Sequence, residues 1–190
     1  MPSERFLVWQ IDETAGFDSA WAEISGTRMV AKGRAVGQLP MPFWTEYWLE
    51  TADDFVTARV RAESRWEGGA ASLDLRRDPA SGWTVNGELR SDLAAALDCD
   101  LGACPLTNTM PALRHDLLRA PSDLHLLMAF IEVPGLEVVP SRQRYTHVRP
   151  GDPSGAVIKY RSGSFESDLV FDEEGFVLDY PQLGRRIRPG

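Results

Sequence analysis

Cysteine, histidine and lysine are all scarce in this chain. Cys99 and Cys104 are the two cysteines, with four residues between them and no second pair to complete a metal tetrad. They read as small buried thiols in a reducing compartment. His115, His125 and His147 stand far apart with nothing nearby to form a ligand shell, so neither a metal nor another cofactor is expected. Lys32 and Lys159 are the only lysines among 20 basic residues, and the arginines are scattered rather than gathered into a run. A formal charge of −8 opposes non-specific attraction to phosphate backbones and to anionic membranes, which excludes nucleic acid as the expected partner. No eighteen apolar residues follow one another, and the first residues, MPSERFLVWQIDETAGF, lack the basic start and apolar run of a secretory signal. A soluble, cytoplasmic protein is therefore expected. The G-x-S-x-G elbow, the P-loop and the dinucleotide fingerprint are all missing.

What the chain has is period-two alternation. Val56, Ala58, Val60, Ala62 and Trp66 alternate with Thr57, Arg59, Arg61, Glu63 and Arg65 over eleven residues. A Gly68-Gly69 turn leads to a second alternating run at 71–76, and a turn at 78–82 leads to a third at 83–89. Residues 6–11 and 19–25 read as strands. From 27 to 37 the odd positions are almost all small, which gives a strand with a thin face that something can approach closely. FWTEYWLET at 43–51 carries large residues on both faces.

The second half is similar but less regular. SDLAAALD at 91–98 supports a turn or two of helix at most, capped by Ser91 or Asp92. LRHDLLRAPSD at 113–123 reads as a short extended piece before a turn at Pro121. LHLLMAFIEV at 124–133 fits a buried strand and also helical spacing; the Pro134-Gly135 stop and the strands on either side favour the strand. Pro140 marks an edge or bulge in the next strand. Three short strands follow, and the basic residues 185–190 form a tail expected to fray. Roughly twelve strands with little helix and no linker predict one all-β, mainly antiparallel domain over 1–190.

Residues 98–114, DCDLGACPLTNTMPALR, crowd turn formers, carboxylates, hydroxyls, an amide and a guanidinium into seventeen positions. Asn108 between Thr107 and Thr109, with Pro105 and Pro111 on either side, suits a loop held by its own side-chain hydrogen bonds. Asp98 and Asp100 share one face of an extended strand, where like charges raise one pKa and provide an acid and a base. Acidic pairs beside turns are also commonly solvated or bonded to backbone amides. All six tryptophans lie in the first half, and Trp44, Trp48 and Trp83 can line an apolar cavity or simply pack a core. A cavity that took an acyl chain of about ten carbons would gain on the order of 8 kcal/mol gross, before association costs.

Three groups of residues carry a family resemblance. Asp98 and Asp100 precede Pro105, Thr107, Asn108, Thr109, Pro111 and Arg114; next come Pro134, Leu136, Val138, Pro140, Gln143 and Tyr145; Asp179, Tyr180 and Pro181 close the pattern. In these positions the chain resembles the putative glycolipid-binding family of bacterial proteins, more loosely through WTVNGEL at 83–89. The resemblance implies a spiral β-roll, a half-open barrel similar to carriers that ferry lipoproteins between membranes. It also implies an amphipathic, glycolipid-like ligand. Its apolar part would lie against tryptophans and aliphatics, and its polar head would meet Asp98, Asp100, Thr107, Asn108, Thr109, Arg114, Gln143, Tyr145 and Tyr180. Two alternatives stay open. One is a hydrolase or isomerase of a sugar-like substrate that uses Asp98 or Asp100 as acid-base and Arg114 as an anion holder. The other is a polar loop that only stitches strands together.

Overall fold

The structure, a computed structural model, describes residues 3–152 and 154–187. Fifteen strands form one sheet. The first eight make an uninterrupted antiparallel meander: β1 (Ser3–Ile11), β2 (Gly16–Ser25), β3 (Arg28–Gly37), β4 (Phe43–Thr51), β5 (Thr57–Trp66), β6 (Gly69–Asp78), β7 (Gly82–Val85) and β8 (Glu88–Leu89). After β9 (Asp98–Leu101) and a short helix α1 (Thr109–Arg114), a second meander runs through β10 (Asp123–Ile131), β11 (Val138–Arg149), β12 (Ala156–Ser162), β13 (Phe165–Phe171), β14 (Val177–Tyr180) and β15 (Gly184–Arg186).

The two meanders are joined in the middle of the sheet, where β15 pairs with β1. The open ends of the sheet are therefore β8 and β9, which are neighbours in sequence. No ladder joins them. The segment between them bridges the gap instead: Trp83 Nε1 donates to Ala96 O at 2.9 Å, Thr57 N to Leu97 O at 3.0 Å, and Arg90 to Val138 O at 2.9 Å. Cys99 N completes the seam by donating to Thr57 Oγ1 at 2.9 Å. β9 runs parallel to β10, the one parallel pairing among the described residues, so the chain between them needs a crossover. Residues 102–122, with α1, supply it.

Period two decides which side chains face inward. β3 alternates strictly, with Met29, Ala31, Gly33 and Ala35 inside. Its thin face has a specific occupant, because a Cβ on Gly33 would lie 2.2 Å from the ring of Tyr47 on β4. Small residues on one strand here make room for a tyrosine on the next. Trp9 and Trp83 are fully buried, and the Trp9 indole donates to Val177 O at 2.9 Å, tying β1 to β14.

Some expectations in the second half hold and others change. The 91–98 segment forms only a 3-10 turn at Ser91–Leu93. Of residues 124–133, those up to Ile131 lie in the strand β10, bonded along its length to β11. Pro140 pairs with Ala129 on one side and sits in the part of β11 that β12 does not reach, so its missing N–H costs no ladder bond. The extended piece expected at 113–123 is instead the end of α1 and a series of turns, since 105–114 is helical. Pro105 opens the 3-10 turn and Pro111 lies in the first turn of α1, where an N–H has no partner within that helix, so neither breaks it. Of the expected tail, Arg185 and Arg186 belong to β15 between β1 and β14, and 188–190 lie outside the described residues.

One buried polar cluster was not anticipated. Asp18 on β2 has no solvent exposure, and its carboxylate receives the Tyr47 hydroxyl at 3.1 Å. Cys104 in turn donates to that hydroxyl at 3.3 Å. No cation faces it among these contacts, so burial pushes the Asp18 carboxyl up to about 7, against the hydrogen bonds of Cys104 and Tyr47. Folding raises this group's pKa from an ordinary aspartate value, so the folded state holds the extra proton between about pH 4 and 7. That contribution to stability is complete below the unfolded pKa and is lost as pH rises through the folded one. Asp18→Asn is expected to gain on wild type as pH increases across this window, by up to about 4 kcal/mol. Urea denaturation at several pH values measures the difference, and a constant offset between the two proteins contradicts it.

Candidate functional site

The segment 98–114 is built as a strand, a tight turn and a helix. Gly102 N bonds Ile131 O at 2.9 Å, Ala103 takes a left-handed conformation at φ 58°, and Cys104 N returns to Leu101 O at 3.1 Å. That turn reverses the chain. Thr107 Oγ1 then bonds the Cys104 carbonyl at 3.0 Å and Asp100 Oδ1 at 2.9 Å, so one hydroxyl links the helical piece to the strand before it. A single proton serves one acceptor at a time.

Asp98 and Asp100 follow different chemistry although they share a face of β9. Asp98 forms a two-pronged pair with Arg114 at the end of α1, in which Nη1 donates at 2.6 Å and Nη2 also donates. Both side chains are buried, at 1% and 8% exposure. Arg114 Nε reaches His115 at 3.3 Å, so the guanidinium is engaged on both edges within the protein. Asp100 is partly buried and receives Gln143 Nε2 at 2.6 Å as well as Thr107. Desolvation raises its pKa, the bonds from Gln143 and Thr107 oppose the rise, and the charge of Asp98 adds to it.

The network continues inward. The Tyr145 hydroxyl lies 2.9 Å from Asn108 Oδ1 and 3.0 Å from Gln143 Oε1, and Asn108 Nδ2 reaches Pro105 O at 3.4 Å. Arg114, Asp98, Asp100, Thr107, Gln143, Tyr145 and Asn108 are thus collected from β9, the helical segment and β11. Thr109 is buried beside them, and its hydroxyl has no hydrogen-bond partner among the described residues.

A cavity of about 1000 Å³ opens against this segment, at the upper end of the range for small-molecule sites. Asp100 and Asn108 reach it, and so does the backbone turn from Leu101 to Cys104. Phe130, Val133, Val139 and Leu183 supply apolar wall; Tyr160, Phe165 and Tyr180 supply aromatic wall. Those three rings pack at 5.8 to 6.2 Å between centroids in tilted or edge-on pairs. Glu13, Glu132 and Arg142 also line the cavity.

The tryptophans lie elsewhere: among the described residues none of the six borders this cavity. Trp83 is sealed in the core against Ala96, Trp44 borders a second, smaller cleft, and Trp48 a third. Tyr160, Phe130 and Phe165 line the cavity and were not singled out from sequence. Their signal was only the inward phase of β10, β12 and β13, and it does not separate a cavity wall from a packed core.

The Asp98–Arg114 pair should dominate the stability of the segment. Arg114→Ala leaves a buried carboxylate unpaired and is expected to cost roughly 3–5 kcal/mol in chemical denaturation. An Asp98→Leu/Arg114→Met double variant should recover most of that loss, because it removes both charges. If Arg114→Ala is harmless, the pair does not hold the segment.

A search of curated proteins finds no match to this chain. The crystal structure of a DUF1089 family protein from Pseudomonas aeruginosa superposes with a TM-score of 0.73 at 28% identity, over 90% of this chain and 92% of that one. A family model described as putative glycolipid-binding matches residues 6–186, which takes in both meanders, the crossover and the cavity, and so the chain belongs to that family.

Proposed function

We propose that the protein binds an amphipathic, glycolipid-like molecule in the cavity of about 1000 Å³, with the polar head at Asp100 and Asn108. The observation that carries this reading is the meeting of two chemistries on one concave wall. Asp100 keeps its carboxylate at the surface of the cavity while Thr107 and Gln143 fix its orientation. A fixed carboxylate and amide beside tyrosine rings suit hydroxyl-bearing heads, whose donors and acceptors need matched partners once water is excluded. Phe130, Val133, Val139 and Leu183 then take the hydrocarbon portion.

Asp98, Thr107, Gln143, Tyr145 and Arg114 act one layer behind in this reading, holding Asp100 and Asn108 in place. Arg114 is committed to Asp98, so a substrate anion would have to displace a buried carboxylate to reach it. This favours binding over a reaction that uses Arg114 as an anion holder.

Gentle-condition mass spectrometry of freshly purified protein, followed by organic extraction, should reveal a bound amphiphile at up to one per chain. Val139→Trp, which narrows the apolar wall, should lower its occupancy several-fold, and Asp100→Asn should shift selectivity among heads more than total binding. Protein that folds normally, carries no amphiphile and takes up none from added glycolipid overturns the proposal.

A further inference from the structure

Large apolar side chains also crowd the solvent-facing side of β1 to β5. Cross-strand register places them in rows. One runs Phe6, Trp21, Lys32, Trp48 and Arg61, and another runs Phe17, Val36, Trp44 and Arg65. Phe6 and Trp21 are each 54% exposed and touch with ring centroids 4.9 Å apart. The second row ends beside the loop between β3 and β4, where Leu39 and Met41 are exposed as well. That loop is fixed at its base, because Gln38 N and Leu39 N both bond Thr14 O, at 2.8 and 3.0 Å. Leu39 and Pro40 also form part of the wall of the large cavity, while Phe17, Val36, Trp44 and Arg65 border the adjoining cleft. The exposed apolar surface is therefore continuous with the cavity.

Its charge differs from that of the chain. The two rows carry only cations, Lys32, Arg61 and Arg65, and the row between them adds Arg34 against Glu46 and Glu63. A chain of net charge −8 is repelled by anionic surfaces as a whole, and the far row of this face, Glu4, Glu23, Val30, Glu50 and Arg59, is acidic, but the three rows toward the loop between β3 and β4 carry Lys32, Arg34, Arg61 and Arg65 against Glu46 and Glu63 alone. Single-stranded nucleic acid would need open aromatic faces for its bases, but Arg34 covers the Trp44 ring and Arg61 the Trp48 ring, at 5.5 and 5.0 Å. A second copy would set like charge against like charge. A bilayer meets all the features together, since apolar tips enter the interface, tryptophan rests at headgroup level, and guanidinium groups pair with lipid phosphates.

We propose that the loop at 38–42, with Phe17, Val36, Trp44 and Arg65, docks the protein on an anionic phospholipid bilayer and holds the cavity beside the headgroups. This rests on the amphiphile-binding reading and adds the source of the ligand. An amphiphile would pass between leaflet and cavity without exposing its hydrocarbon to water.

Flotation with vesicles of phosphatidylcholine alone, and of phosphatidylcholine with phosphatidylglycerol, tests it. Binding is expected with the anionic vesicles, to fall with added salt, and to weaken about tenfold or more in Phe17→Ser/Met41→Asp and in Arg65→Glu. These side chains are exposed or at the surface, so the variants should keep the wild-type melting temperature. Val139→Trp should still dock, which separates the two proposals: docking without any extractable amphiphile defeats only the cavity reading. Failure to float with anionic vesicles overturns the docking proposal, as does equal flotation of the double variant. Dimerisation abolished by the same substitutions, or displacement from vesicles by a single-stranded oligonucleotide, would assign the face to the other occupant.

Discussion

A carboxylate and a guanidinium shut away from water, Asp98 and Arg114, hold together the part of the molecule that the sheet does not. Fifteen strands curl until β8 and β9 lie at opposite ends of one ladder, and no strand pairing spans the interval. β9 has a parallel ladder partner on one side, and on the other Cys99 N bonds the side chain of Thr57. The charge pair ties this last strand to the helix that follows it. Solvated pairs such as Arg28–Asp53, each partner more than half exposed, contribute little, because water screens them. Asp98 and Arg114 are different because either one alone is a buried charge with no solvent to receive it.

The same pair divides the work between two aspartates that are equivalent on paper. Asp98 is consumed by structure, which leaves Asp100, two residues along, to face the cavity with its oxygens oriented by Thr107 and Gln143. The floor of the cavity and the seam of the roll are therefore one segment. A break in the seam would disturb the site through geometry, even at residues that never meet a ligand. Asp18, Tyr47 and Cys104 form a second polar cluster across the turn, and burial holds the Cys104 thiol well above its usual range, as an unreactive donor rather than a nucleophile.

The alternation in β3 and β5 was legible at the residue level because half-buried antiparallel strands must alternate, and the hairpin glycines punctuate it. β10 was less clear, since a buried strand and a buried helix both need apolar residues throughout. At 105–114 the prolines misled, because a proline that breaks a helix interior also starts a helix. The loop residues Asp100 and Asn108 stood out by chemistry, and the structure places both at a concavity. The tryptophans stood out equally, yet Trp83 fills the core and Trp44 and Trp48 lie outside the main cavity. Composition reports how much aromatic surface a chain has, not which side of the sheet carries it.

Period two and turn residues were enough to determine an all-β chain, because strand phase and hairpin geometry are local properties, while the residues from Asp98 to Tyr180 carried the family resemblance. Only the tertiary structure decided that β15 lies beside β1, that β9 runs parallel to β10, and that Arg114 spends itself on Asp98 while Asp100 stays available. Those outcomes depend on contacts between residues far apart in the chain. Their free energy comes from burial and pairing that exist only once the sheet has curled, and no local pattern records it.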